Sequence, residues 1–129
     1  MNPLNGRMRV MGIEGTSEGA EATFVPLRPP NVGTQWEIIW VIGRQNDGAV
    51  SHGWYWYDPE HPVGALLYVA VGALDTPLPL GALGSELPNV STNNWWATYD
   101  HYPSYYFQAS AAGKKGTVLA IVIERVGVG

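Results

Sequence analysis

Apolar residues recur along this chain at every second position or in short unbroken runs, which is the spacing of β-strands rather than of amphipathic helices. The run from Thr117 to Val126 is apolar on both alternating faces, a pattern typical of a strand that is buried on both sides. The run from Gln35 to Ile42 predicts a second strong strand, whose successive side chains would point to two opposite faces. One face would carry Trp36, Ile38, Trp40 and Ile42, and the other Glu37, Ile39 and Val41.

Further short strand-like runs are separated by clusters of Gly, Pro, Asn and Asp. They are Ser51–Tyr57, Leu66–Val71, Ala73–Leu80, Trp95–Tyr99 and Tyr105–Ala109. Strands that return at intervals of about 8 to 12 residues are typical of an all-β sandwich or barrel.

The first thirty residues differ from the remainder of the chain. Two short apolar runs, Met8–Ile13 and Ala22–Leu27, flank the acidic and polar stretch Glu14–Glu21. They have two interpretations: an arm or edge hairpin that pairs partly with a neighbouring subunit, or the ordinary first hairpin of the sandwich. The prolines of Arg28–Gly33 mark a break. We therefore divide the chain into an N-terminal arm or edge hairpin at 1–30 and a β-sandwich domain at 31–129.

The composition favours a protein that assembles. A length of 129 residues suits one domain, and the absence of cysteine excludes a disulfide framework. Only 14% of the residues are charged, against about 25% in typical globular domains. Because solubility normally depends on a charged and mixed surface, we expect part of this surface to be covered by other subunits.

Charge and hydropathy also exclude some partners. The chain carries 7 basic and 11 acidic side chains for a net charge of −4, and the basic residues are scattered, so no nucleic-acid partner is expected. No run approaches the roughly 20 apolar residues that span a bilayer, and the N-terminus lacks the apolar core of a signal peptide. We expect a soluble protein made in a cytoplasm, without a membrane partner.

The sequence offers little for catalysis. His52, His61 and His101, with Asp58 and Asp100 nearby, match no spaced metal motif. The scattered carboxylates and the adjacent Ser51 and His52 do not define a glycosidase pair or a triad. We therefore expect no enzyme, no metal and no cofactor. A small cupin-like or hydrolytic enzyme that binds metal through the three histidines is the minor alternative.

Aromatic residues are the most unusual feature, concentrated at 54–57 and 95–107 so that both faces of a strand carry rings. Outward Trp and Tyr are enriched in subunit contacts, and they also stack on sugars. The candidate interface residues are Met8, Val10, Phe24, Trp36 and Trp40. The candidate glycan-stacking residues are Trp54, Trp56, Trp95, Trp96 and Tyr99, with Asn89, Asn93, Asn94 and Asp100 as partners for sugar hydroxyls.

Four stretches carry a resemblance to a known group of proteins: Pro30–Val41, a proline and short turn before a tryptophan strand; Ser91–Asn94; Ser104–Ala109; and Val118–Val126. In strand order and texture they resemble small jelly-roll virion proteins of tailed bacteriophages, namely capsid decoration (cement) proteins, head fibres and tail-fibre modules.

The resemblance implies a jelly-roll β-sandwich that forms a homotrimer on the virion surface after synthesis in the host cytoplasm. Its partners would be copies of itself and the major capsid protein or another virion protein, and it would stabilise the capsid without catalytic residues. The alternative is a carbohydrate- or receptor-binding module of a head fibre or tail fibre, for which a surface glycan is the partner.

Overall fold

The computed structural model describes residues 6–48, 50–59, 61–72, 78–79 and 96–127; of 58, 61–72 and 78–79 it describes the backbone alone. None of these residues is helical. The strands are β1 (Arg7–Thr16), β2 (Ala22–Pro26), β3 (Thr34–Gln45), β4 (Val50–Asp58), β5 (His61–Gly72), β6 (Leu78–Pro79), β7 (Trp96–Ala97), β8 (Tyr102–Gln108) and β9 (Lys115–Val126). They form two antiparallel sheets that pack face to face, which confirms the predicted β-sandwich.

The strand pairing has jelly-roll topology. The first four strands pair with later ones in reverse order: β4 with β5, β3 with β6 and β7, β2 with β8, and β1 with β9. The β1–β9 and β3–β6 pairs lie in sheet A, with the order β1-β9-β3-β6. The β2–β8 and β4–β5 pairs lie in sheet B, with the order β2-β8-β4-β5. A long antiparallel ribbon rolled in this way is the jelly roll.

Strand β1 lies at one end of the strand order of sheet A, and β2 lies at one end of that of sheet B. β1 pairs with β9 along its whole length, from Arg7 opposite Glu124 to Thr16 opposite Lys115, and β2 pairs with β8. The two apolar runs of the N-terminal region are therefore not paired with each other as a hairpin. Residues 17–21 cross from one sheet to the other, and both β1 and β2 are strands of the sandwich.

A β-bulge at Ile39 changes which residues of β3 face the core. Ile38 lies opposite Val122 and Trp40 lies opposite Ile121, so Ile39 is an extra residue on its strand. The alternation shifts by one residue at this point. Trp40 is 44% exposed. The predicted faces of β3 are therefore wrong from Trp40 onward: Trp40 and Ile42 lie on the outer side, and Val41 lies in the core.

The core lies between the sheets, and its largest buried side chains include Trp54, Tyr105 and Phe107. Two strand glycines on sheet A, Gly43 and Gly116, face these rings. A methyl group at Gly43 would lie 2.5 Å from Cγ of Tyr105, and one at Gly116 would lie 2.6 Å from Cε1 of Phe107. Glycine is required at both positions because the rings of sheet B approach the backbone of sheet A closely.

Polar side chains fasten the loops at one end of the sandwich. The Asp47 carboxylate accepts hydrogen bonds from the backbone N–H of Ser110 (2.5 Å) and its hydroxyl (2.7 Å). Ser17 Oγ donates to the carbonyl of Ala111 (2.6 Å) and accepts from the backbone N–H of Lys114 (2.9 Å). These contacts join the loops after β1, β3 and β8.

Candidate functional site

The outer face of sheet A is apolar across three strands. Residues in register share one face of a sheet, and the outward residues of β9 lie between those of β1 and β3. The rows are Met8 with Ile123; Val10 with Ile121 and Trp40; and Gly12 with Leu119 and Ile42. Together with Ile39 at the bulge, these residues form the apolar face. Strand β9 is thus buried on its inner side and only half-buried on its outer side.

Ion pairs lie at both ends of the apolar face. Arg125 and Glu37 are 2.9 Å apart at one end, where the guanidinium also lies 5.4 Å from the ring centre of Trp96. Lys115 and Glu14 are 3.5 Å apart at the other end. An apolar centre with a polar rim is the usual anatomy of a protein interface.

Three of the predicted interface residues, Met8, Val10 and Trp40, lie on this face. Trp36 does not, because it is 5% exposed and lies in the core. Its indole N–H donates to a carboxylate oxygen of Glu124 at 2.9 Å, and Arg9 donates to the same oxygen at 2.8 Å. These hydrogen bonds, led by that from Trp36, lower the pKa of Glu124. Phe24 lies on the other sheet.

The outer face of sheet B carries a cluster of aromatic rings. Along β4, Trp54 is fully buried, while Tyr55 and Tyr57 alternate to the outer side. The Phe24 ring lies at the centre, with centroid distances of 5.4 Å to Tyr55, 5.9 Å to Tyr57 and 5.6 Å to Tyr106. Tyr57 also stacks on Tyr102 at 5.4 Å with an interplanar angle of 19°. We call this set the tyrosine face: Phe24, Tyr55, Tyr57, Tyr102 and Tyr106.

The hydroxyl groups of Tyr57 and Tyr106 on the tyrosine face lie in different surroundings. Burial, followed by the neighbouring Tyr102 and Tyr55, raises the pKa of Tyr57 to about 12. The Tyr106 hydroxyl lies 3.5 Å from Ser51 Oγ and 3.5 Å from a side-chain oxygen of Gln108. Both distances are at the long limit for hydrogen bonds, so this hydroxyl retains capacity for a ligand.

A cleft adjoins the tyrosine face. Its volume is about 330 Å³, and its lining consists of residues 32–35, which open β3, and residues 98–100 of the turn before β8. The Arg28 guanidinium lies 3.9 Å from the ring centre of Tyr99 in the cleft and 5.1 Å from that of Tyr102 on the tyrosine face. Arg28 Nε also donates to the Tyr99 carbonyl at 2.7 Å. Arg28 therefore joins the two features.

The predicted glycan-stacking residues lie in different surroundings. The Trp54 ring is in the core and is not accessible for stacking, and Trp56 packs partly against the core. Trp96 is half-buried beside Arg125, and Tyr99 lines the cleft. Trp95 lies outside the described residues, as do Asn89, Asn93 and Asn94.

The sequence reasoning missed the tyrosine face. The sequence pattern that could have revealed this face is the alternation of Trp and Tyr at 54–57. Of these two aromatic types, tyrosine carries a hydroxyl that is best placed toward water, so the tyrosines take the outer positions.

Two of the histidines that were candidate metal ligands, His52 and His101, lie in different surroundings. His52 is 2% exposed, with Nδ1 2.6 Å from the Tyr105 hydroxyl oxygen, and burial lowers its pKa. His101 is exposed in the turn before β8, and the side chain of His61 lies outside the described residues. No three His, Asp or Glu side chains in the described part of the chain are grouped to hold a metal ion.

Within the described ranges, no helical segment has the length and hydrophobicity to cross a bilayer.

Comparisons of the chain with protein-family models, with curated proteins and with solved structures found no match.

Proposed function

We propose that this chain is a structural virion protein of a tailed bacteriophage that decorates and stabilises the capsid as a homotrimer, with the apolar face of sheet A as its principal subunit contact. The main support for this proposal is the apolar outer side of β9. Ile121 stands there between Val10 and Trp40, and Leu119 between Gly12 and Ile42, on the side of the sheet that faces away from the core. Ile123 has Met8 on one side and the rim residue Glu37 on the other. A second layer of protein would complete the burial that this strand's sequence pattern predicts.

The magnitude of the burial favours a closed assembly. Met8, Val10, Ile39 and Trp40 are 66%, 78%, 43% and 44% exposed. Covering them contributes on the order of 5 kcal/mol per subunit, at about 1.5–3 kcal/mol for each fully buried side chain. Association itself costs about 4–15 kcal/mol, so one such contact holds two free subunits weakly. A ring of three copies, repeated on a symmetric shell, converts weak contacts into lasting attachment.

The rim of the face is compatible with contact between copies. Each end carries one cation and one carboxylate, Arg125 with Glu37 and Lys115 with Glu14. A neighbouring copy therefore finds a partner of either sign at either end, and no patch of like charge opposes approach.

The test is the solution mass of the purified chain and of two variants, measured by light scattering. Wild type should have three times the 14.0 kDa chain mass. Val10→Asp places a carboxylate at the centre of the face and should give monomers, whereas Thr16→Asp, at the polar end of the same strand, should leave the trimer intact. Wild type that remains monomeric at every concentration, or a Val10→Asp variant that remains trimeric, would contradict the proposal.

A truncation is a less direct test. Deleting residues 1–19 should weaken attachment to a shell, but it also removes β1 from its pairing with β9. The point variant leaves this pairing in place. The virion setting is tested separately, by mass spectrometry of purified particles of the source virus, in which the chain should be present at a fixed ratio to the major capsid protein.

A further inference from the structure

We propose that the tyrosine face, together with the adjoining cleft, is a binding site for a neutral oligosaccharide. The tyrosine face lies on sheet B, on the opposite side of the sandwich from the apolar face of sheet A, and the cleft lies at the end of the sandwich where β3 of sheet A begins. This site therefore goes beyond the proposed structural role, and a decoration protein with such a site would also attach particles to glycan-bearing surfaces.

The chemistry of the two outer faces differs. The apolar face of sheet A is built mainly from Val, Leu and Ile, whose side chains offer no hydrogen-bonding group, and from Met, whose sulfur is only a weak acceptor. Four of the five rings on the tyrosine face carry a hydroxyl. A ring with a polar tip suits a ligand that has both C–H surfaces and hydroxyl groups, because the ring stacks and the hydroxyl bonds. Sugars have this combination.

The arrangement of the rings also suits an extended ligand. Phe24, Tyr106 and Tyr55 stand on three neighbouring strands, and their rings converge into a triangle that Tyr57 and Tyr102 extend toward the cleft. Neighbouring centroids are 5.3 to 5.9 Å apart, and most of these ring pairs are edge-on or tilted. Such a surface offers several contacts in sequence rather than one deep pocket.

The cleft supplies the groups that orient a ligand. It contains the Tyr99 ring, the side chains of Gln35 and Thr98, and the carboxylate of Asp100, which is exposed. Binding clefts commonly combine an apolar wall with a few convergent polar groups. Donors and acceptors beside an aromatic wall would select the positions of hydroxyl groups on a sugar.

The distribution of charge favours a neutral ligand. The tyrosine face is made of Phe and Tyr side chains and includes no Asp, Glu, Lys or Arg. At the junction with the cleft, the Arg28 guanidinium is stacked on Tyr99 and its Nε is bonded to the Tyr99 carbonyl. Asp100 adds a negative charge to the cleft. An acidic glycan would therefore meet one engaged cation and one carboxylate, whereas a neutral glycan meets no repulsion.

The experiment applies the full-length protein to an array of neutral hexose and N-acetylhexosamine oligosaccharides that includes sialylated and sulfated members. The best-bound neutral oligosaccharide is then titrated by calorimetry. Tyr57→Leu and Tyr99→Leu should each weaken binding about 3- to 10-fold, which corresponds to the loss of one aromatic contact. Tyr57→Phe keeps the ring and should retain most of the affinity.

Two controls separate binding from folding and from assembly. Thermal unfolding of each variant shows whether a loss of affinity reflects a loss of the fold, and Tyr57→Phe tests the site with the ring preserved. Val10→Asp should change the solution mass and leave the intrinsic affinity for the oligosaccharide unchanged. Sugar binding by the tyrosine face and assembly through the apolar face are thus tested separately, and either can fail without the other.

Several outcomes would overturn the proposal. They are an array without a bound neutral member, a preference for acidic glycans, and affinities that Tyr57→Leu and Tyr99→Leu leave unchanged. A change of solution mass in Tyr57→Leu without any change of sugar binding would identify the tyrosine face as a subunit contact instead.

Discussion

Replacing Gly43 with alanine tests the close packing of the two sheets. The added methyl group would lie 2.5 Å from Cγ and 2.7 Å from Cε1 of Tyr105, well inside van der Waals contact. The ring has little freedom to move away. It is fully buried, it lies 5.6 Å from Trp54 and 6.3 Å from Phe107 between centroids, and its hydroxyl bonds to His52.

The magnitude follows from two opposing effects. Overpacking a core costs about 1–3 kcal/mol, and displacement of Tyr105 would weaken its hydrogen bond to His52, which is worth about 0.5–1.5 kcal/mol. Alanine in a strand recovers about 0.5–1 kcal/mol of backbone entropy relative to glycine. We expect Gly43→Ala to lower the free energy of unfolding by about 2–3 kcal/mol, or the melting temperature by about 6–15 °C at this chain length.

Urea unfolding measures this change, with an unchanged m-value as the sign that the denatured state is not affected. Gly19→Ala is the control, because its methyl group would have no neighbour nearer than 3.7 Å. The double variant Gly43→Ala/Tyr105→Leu should lose less stability than the sum of the single changes, since the smaller side chain relieves the clash. A Gly43→Ala protein as stable as wild type would refute the reasoning.

Two further predictions concern single polar groups. Asp47→Ala should lower the free energy of unfolding by about 1–3 kcal/mol, because both hydrogen-bond donors of Ser110 lose the carboxylate that accepts from them. Urea unfolding of Asp47→Ala, Ser110→Ala and the double variant measures this change. Losses that add in the double variant would contradict it. For His52, burial lowers the pKa in the folded state, so the unfolded chain binds the proton first and stability should fall as the pH drops below the ordinary value of 6.5. His52→Gln should remove that part of the slope in unfolding curves measured across this range, and an unchanged slope would exclude His52 as its source.

The strands and the sandwich were predictable because period-two alternation and turn residues are local signals. The Thr117–Val126 run was identified as a strand because it is apolar on both alternating faces, and β9 is the strand between β1 and β3 in sheet A. The bulge at Ile39 was not predictable in this way. It is visible only as a register shift in the pairing with β9, and no residue of the run from Gln35 to Ile42 marks it.

The candidate surfaces were only partly predictable. Met8, Val10 and Trp40 were selected for their size and hydrophobicity, and their shared face emerges only when β1 and β3 pair with opposite sides of β9. Trp36 and Trp54 are also large and hydrophobic, but they lie in the core. A tryptophan in an alternating strand carries no local mark of its side, whereas the hydroxyl of a tyrosine favours the outer position when the two residues alternate.

The reverse order of strand pairing has a consequence for the way in which the chain reaches its fold. Sheet A cannot be completed until β9 is made, because this last strand separates β1 from β3. Arg7 pairs with Glu124, and this pairing closes a loop of more than a hundred residues. Contacts of such long sequence separation slow folding, to the range of milliseconds to seconds in β-sandwich domains. During synthesis the apolar strands β1 and β3 emerge without their common partner, so the nascent chain is exposed to aggregation or to chaperones until β9 leaves the ribosome.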